Sequence, residues 1–198
     1  MKISVIVAHP DRRSLNCAIA KEAARALKGL GHKLFFHDLY RENFDPVMPA
    51  AEMKKRAKPS GIIGKHCAEI SEAEGIVIVH PNWWGQPPAM LKGWIDRVLR
   101  QGVAYKFMEG DNGEGVPVGL LKIKKAVVFN TSDTPQEREK AVFGDPLEGL
   151  WEKCIFGLCG SGKFCRRNYG VVVTSTAGER KRWLADAGET VKKAFPGN

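Results

Sequence analysis

The sequence has no uninterrupted apolar run of about 18 residues, the length a membrane-spanning helix needs, and its opening, MKISVIVAHPD, reaches His-Pro-Asp after too short an apolar stretch for a secretory leader. A soluble protein that stays in the cytoplasm, with no membrane partner, is the expectation. Cysteines are few: Cys17, Cys67, Cys154, Cys159 and Cys165 are odd in number, form no CxxC pair and have no HxxxH partner motif. They read as reduced thiols. The group Cys154, Cys159 and Cys165 has spacings of five and six, which are not those of a zinc knuckle, so small buried side chains are expected and no metal. GxGxxG is absent, which excludes a standard dinucleotide Rossmann fingerprint, and the GSGK at Gly160 to Lys163 lacks the P-loop glycine spacing and its following Ser/Thr. There are no internal repeats and no low-complexity tails.

What is there is basic and apolar. A net charge of +9 raises nucleic acid as a partner, but the densest groups (Lys54, Lys55, Arg56 and Lys58; Arg166 and Arg167; Arg180 to Arg182) have acids between them and no aromatic interleaving. The expectation is no nucleic acid, and a solvated basic surface that attracts small phosphate-bearing ligands. At 198 residues and 43% hydrophobic, the chain is long enough for one sizeable core, and residues 1–198 read as a single domain.

Short buried strands alternate with amphipathic helices. ISVIVA (Ile3 to Ala8), HKLFFHD (His32 to Asp38), GIVIVH (Gly75 to His80), KKAVVFN (Lys124 to Asn130) and YGVVVT (Tyr169 to Thr174) read as strands. Ser14 reads as the N-cap of a helix ending near Gly29 and Gly31. Further helices are expected over Ile62 to Ala73, Pro88 to Arg100 and Asp145 to Phe156, and at the C-terminus on the stripe Trp183, Leu184, Ala187, Val191 and Ala194. Asp45 to Ser60 reads as a polar connection with one short helix around Ala50 to Ala57, and Glu109 to Gly119 as an irregular glycine-rich loop. Five such strands make an α/β fold: a doubly wound open sheet of five parallel strands with helices on both faces. Ligands of such sheets bind beyond the strands' carboxyl ends, which singles out the loops after Ala8, His80 and Asn130.

The first of these loops, AHPDRRSLN, runs straight into a helix, whose free N–H groups beside Ser14 and Asn16 suit an anion; an ordinary N-cap at Ser14 and a structural loop histidine at His9 fit the same residues. The second, starting HPNWWGQPP, puts two adjacent tryptophans at a strand end, where a flat aromatic ligand gives them a purpose; indoles packed on their own domain are the alternative.

The stretch PNWWGQPPAMLKGWIDRV followed by GVAYKF closely resembles the flavodoxin-like NAD(P)H:quinone oxidoreductase family, as do AHPDRRSLN, KEAARALKGLGH and DLYRENFDP. The resemblance covers most of residues 1–130. It implies a flavodoxin-like fold and a flavin-dependent enzyme that passes hydride from NAD(P)H, through bound FMN or FAD, to quinones or acceptors of similar shape, in ping-pong order. It places His9, Ser14, Leu15, Asn16 and Ala18 on the segment that holds the flavin's phosphate or pyrophosphate. Pro81, Asn82, Trp83, Trp84 and Gly85 match the loop along one side of the isoalloxazine ring, and Asn130, Thr131, Ser132 and Asp133 match the loop on the other. Tyr105 and Phe107 fall on an aromatic pair that walls the substrate pocket, often across a dimer interface, so a homodimer is expected.

Mammalian quinone reductases place a Tyr and a His after the third loop and use them to relay charge. Here Glu137 and Phe143 fall near those positions, so that relay is not carried over, Phe143 is expected only to line the substrate pocket, and no side chain is assigned a catalytic role. The connection from Asp45 to Ile70 is also shorter than the mammalian one and lacks a loop that helps hold the FAD adenine, which favours FMN. The runner-up function is a regulatory or electron-transfer flavoprotein serving a protein partner. Such carriers are commonly acidic, and the +9 charge favours the enzyme.

Overall fold

The computed structural model describes residues 1–54, 57–59, 61–108, 110 and 115–197. Lys55 and Arg56 of the first basic group, Ser60 of the expected polar connection, and Glu109 with residues 111–114 of the expected glycine-rich loop lie outside the described residues.

In chain order the elements are β1 (Lys2–Val7), α1 (Leu15–Gly29), β2 (Lys33–Asp38), a single 3₁₀ turn (Ala50–Met53), α2 (Gly61–Glu72), β3 (Gly75–Pro81), α3 (Ala89–Val98), β4 (Tyr105–Lys106), β5 (Val118–Gly119), β6 (Lys125–Ser132), α4 (Gln136–Phe143), α5 (Pro146–Gly149) running on into a π-helix (Leu150–Gly157), β7 (Lys163–Gly170) and α6 (Ala177–Ala194). Five strands form one parallel sheet in the order β2-β1-β3-β6-β7, so the winding direction reverses between β1 and β3. A crevice opens at that reversal, outside the carboxyl ends.

Strand alternation sorts the core into two layers. Ile6, Ile76, Ile78, Ala126 and Val128 point to one face and pack against Ile63, Trp94 and Trp151. Val5, Val77, Val79, Val127 and Phe129 point to the other, against Ile19, Leu27 and Val191 of α1 and α6. Each fully buried aliphatic side chain contributes about 1.5–3 kcal/mol relative to exposure, so the central strands hold the sheet from both sides. Among the described residues, no helix is long and apolar enough to cross a membrane.

The chain departs from the sequence expectation in its last third. The fifth strand is not Tyr169 to Thr174 but Lys163–Gly170 (KFCRRNYG). It is an edge strand with β6 as its one partner in the sheet, much of it stays in contact with water, and a β-branched run is not needed there. Most of the run that reads as a strand, VVVT, follows it, with Val173 exposed. Nor is Arg166 part of a solvated patch, since its side chain is 3% exposed and paired inward. A short helix, α4, also precedes the expected one; its pattern is almost wholly polar, so no apolar stripe announces it. The helix expected over Asp145 to Phe156 is present but winds more widely from Leu150 on. The last helix begins six residues before Trp183, behind a capping box of Thr176 and Glu179.

Candidate functional site

The loops after β1, β3 and β6 converge on one cleft of about 760 Å³. At its first wall Ser14 caps α1: its Oγ accepts from Cys17 N–H (3.2 Å), and its backbone N–H is held by Asp11 O (3.1 Å). The N–H groups of Leu15 and Asn16, at the helix's first positions, have no intrahelical acceptor and stand beside the cleft. Asn16 is buried. Its Nδ2 bonds Thr131 Oγ1 (2.8 Å), while its Oδ1 has no protein partner. Because a threonine hydroxyl both donates and accepts, turning the amide over only exchanges which atom is left over. Either way one buried polar atom faces the site without a partner, a cost that a bound polar ligand removes. His9 accepts from Asp11 N–H through Nδ1 (3.1 Å), and burial lowers its affinity for a second proton. Arg13 adds positive charge at the rim.

The second wall is the loop after β3. Asn82 N–H donates to Thr131 O (2.7 Å), joining this loop to the one after β6, and Asn82 Oδ1 accepts from Gly85 N–H (2.9 Å). That bond closes a turn in which Trp84 (φ 57°) and Gly85 (φ 69°) are both left-handed. A side chain at Gly85 would also sit 2.7 Å from Pro146 Cγ. Glycine is required there on both counts. The turn leaves Trp84 wholly exposed and Trp83 partly so, with the Trp83 ring 6.2 Å from that of His9. Apolar surface of this kind at a cleft mouth suits a flat aromatic ligand.

The third wall is the end of β6. Thr131 and Ser132 are buried, and Asp133 Oδ1 accepts from Val173 N–H (2.8 Å). Beneath this wall runs a buried polar chain whose direction can be worked out from a single donor. Trp151 Nε1–H can only donate, and it meets His80 Nε2 (3.0 Å). His80 must therefore carry its proton on Nδ1 and give it to Pro81 O (2.8 Å), and Asn130 Nδ2 is the second donor to Nε2 (2.9 Å). Asn130 Oδ1 is then free to accept from Arg166 Nε (2.6 Å), and Arg166 grips Asp145 through two nitrogens (2.7 and 2.8 Å) and Glu148 through one (2.7 Å). Full burial, with the Arg166 charge nearby, lowers the His80 pKa to about 4, so the ring is neutral.

A family model described as a flavodoxin-like fold matches residues 1–186. An NAD(P)H oxidoreductase of Haemophilus influenzae is 38% identical over 162 residues, 79% of this chain and 77% of that one. The chain belongs to the flavodoxin-like NAD(P)H:quinone oxidoreductase family. Mouse ribosyldihydronicotinamide dehydrogenase [quinone] is 28% identical over 219 residues, 98% of this chain and 92% of that one. Among solved structures, the NAD(P)H:quinone oxidoreductase of Methanothermobacter marburgensis superposes with a TM-score of 0.80 at 24% identity, covering 98% of this chain and 96% of that one.

In this flavodoxin-like chain the cleft gathers His9, Ser14, Leu15, Asn16, Pro81, Asn82, Trp83, Trp84, Gly85, Thr131, Ser132, Asp133 and Phe143 from among the expected residues. Asn130 lies one layer below, in the chain that supports Pro81, and Ala18 lies along α1 behind the wall. Tyr105 and Phe107 are not on the cleft. They meet edge to face (5.8 Å) beside the small β4–β5 hairpin, with Phe107 exposed. Thr134, Glu139, Pro146, Val172 and Arg180 line the cleft without having been expected. The turn signal Gly144-Asp145-Pro146 carried the clue for Pro146, whereas Glu139 was hidden on a helix with no apolar stripe.

Among the described residues the one cluster of metal-type ligands is His37, Glu42 and His66, remote in sequence and joined by the fold. Trp94 Nε1–H donates to His66 Nδ1 (2.9 Å), so His66 carries its proton on Nε2 and gives it to Glu42 Oε2 (3.0 Å). His37 Nδ1 meets Glu42 Oε1 (2.9 Å), and His37 Nε2 lies 2.8 Å from Glu69 Oε2, off the line of a good hydrogen bond. Burial alone would raise the Glu42 pKa, but the two histidine contacts outweigh it and bring it to about 2. With both His66 nitrogens committed, the cluster is a hydrogen-bonded group; a metal ligand would instead present a bare nitrogen and donate from the other. The Cys154, Cys159 and Cys165 thiols do not join it; Cys154 is exposed and burial pushes Cys159 up to about 11.

Proposed function

We propose that the protein is a flavin-dependent NAD(P)H oxidoreductase that passes hydride to quinones or acceptors of similar shape, that the whole chain acts as one flavin-binding unit, and that its flavin is FMN, with FAD the alternative. The observation that carries this reading is the meeting of three strand-end loops in one cleft where a buried Asn16 amide atom has no protein partner. The residues fit the group. Ser14, Leu15 and Asn16 would hold the phosphate through the α1 N-terminus, Pro81 to Gly85 would flank one side of the ring, and Thr131 to Asp133 the other. The cofactor, when bound, supplies the hydride chemistry. The protein's part is to orient it with backbone donors, to exclude water with Trp83, Trp84 and Phe143, and to leave one face for the nicotinamide and acceptor in turn.

In support, the Haemophilus relative is named an NAD(P)H oxidoreductase and the mouse relative a quinone-type ribosyldihydronicotinamide dehydrogenase, and an FMN-dependent NADH-azoreductase of Bacillus anthracis, with FMN bound, shares the fold at a TM-score of 0.75 and 18% identity. The homodimer belongs to the same proposal. Tyr105 and Phe107 are displaced from the cleft of their own chain and would wall the partner's.

The visible spectrum of the purified protein tests the reading, with acid release and chromatography of any yellow cofactor. Stoichiometric FMN with NAD(P)H-driven quinone reduction is the expected result. If neither FMN nor FAD changes the tryptophan fluorescence or the melting temperature, the reading fails.

A further inference from the structure

Two-electron reduction of a quinone to a hydroquinone consumes one hydride and one proton, and the reduced nicotinamide supplies only the hydride. We propose that Glu139 is a catalytic acid that delivers that proton to the acceptor, a role that rests on the oxidoreductase reading above. Glu139 is 4% exposed and is the one buried carboxyl group lining the cleft among the described residues. It projects from α4 and reaches Asn82, whose Nδ2 donates to its Oε1 (3.0 Å). That contact fixes the carboxyl beside the loop that flanks the ring, and it is the side chain's one hydrogen bond among the described residues.

The other groups on the wall are poor proton sources. His9 has Nδ1 occupied by the Asp11 N–H, and its affinity for a second proton is already lowered by burial. Asp133 is exposed and already accepts from Val173 N–H. The guanidinium groups of Arg13 and Arg180 do not give up protons at working pH. Serine, threonine and asparagine are far too weak as acids.

A flat acceptor entering the cleft expels the water that would solvate a carboxylate, and such sites favour the neutral acid. As hydride adds to the acceptor, the carboxyl O–H bond breaks and an O–H bond forms on the acceptor oxygen. The carboxylate left behind takes its next proton from water as the next acceptor enters.

Glu139→Gln keeps an oxygen for Asn82 but carries no transferable proton, so it separates the chemical role from the structural one. Stopped-flow absorbance should show reduction by NAD(P)H little changed, while reoxidation by a quinone falls roughly a hundredfold and loses its pH dependence. A second readout needs no turnover. Adding a non-reducible aromatic quinone analogue to the wild-type holoprotein in weakly buffered solution should draw a proton from the medium, and in Glu139→Gln it should not.

Equal slowing of both half-reactions, or no slowing of either, would overturn the assignment. So would the absence of proton uptake in the wild type, a measurement that stands even if the variant fails to fold. A wild-type protein that takes up no flavin would defeat the oxidoreductase reading instead, before Glu139 is tested.

Discussion

Two buried histidines in this molecule receive an indole N–H, His80 from Trp151 and His66 from Trp94, and the two surroundings make different use of the same device. Around His80 the chain of bonds ends on a backbone carbonyl of the cleft wall, Pro81, and through Arg166 on Asp145, whose neighbour Pro146 presses on Gly85. Around His66 the bonds end on Glu42 and His37, and none of the three lines the cleft. A donor-only indole removes the ambiguity of an imidazole tautomer in both places. In one it fixes the geometry of the site; in the other it fastens β2 to α2 and α3.

Removing Arg166 should break the comparison most sharply. Arg166→Met strands Asp145 and Asn130 in a buried setting, with an expected loss of about 3–5 kcal/mol. Glu42→Gln, in the other group, should cost about 1–2 kcal/mol because Glu42 keeps part of its contact with water. Urea unfolding gives the stabilities, and fluorescence titration with FMN should show affinity falling in the Arg166 variant alone. If the Glu42 variant lost FMN as readily, the two groups would not be separate.

Acid should pull the two apart in order. The His80 pKa is depressed from 6.5 to about 4, so its contribution is complete above about 6.5 and is lost as pH falls through 4. That amounts to about 3 kcal/mol. The Glu42 pKa is depressed from 4.5 to about 2, so its contribution is complete above about 4.5 and is lost only as pH falls toward 2. Protection factors from amide exchange should therefore drop first at residues 80–82 and 130–132, and only at lower pH at residues 37–42. The reverse order would mean that His80 is not held neutral by its burial.

The smallest contrast concerns the indoles themselves. Trp151→Phe leaves His80 Nε2 with the Asn130 donor, whereas Trp94→Phe leaves His66 Nδ1 with none. Beyond the shared cost of a smaller ring, Trp94→Phe should be the more destabilising by about 1 kcal/mol, with thermal unfolding as the measure. Equal losses would show that the second donor to His80 contributes nothing.

The core strands were legible because burial on both faces demands unbroken apolar runs such as ISVIVA and GIVIVH, and the cleft was legible because its walls are strand ends followed by tryptophan, glycine and proline. Strand β7 was not. An edge strand that carries an inward arginine has the composition of a loop, and the acids that justify Arg166 lie 18 and 21 residues away. Glu139 was missed for a related reason. Its carboxyl is held by Asn82, 57 residues distant, and no local pattern encodes such a pairing. The cluster around His66 joins three separate segments and is likewise visible only after folding.

The composition of β7 also bears on how the molecules behave in a crowd. Strand edges invite pairing with the edge of another sheet, the first step toward aggregates. Here that edge carries Lys163 and Arg167, both exposed, on a chain of net charge +9. Two copies approaching edge to edge would meet like charge where they would need hydrogen bonds, so the residues that hid this strand from a reading of apolar patterns also protect it from its own kind.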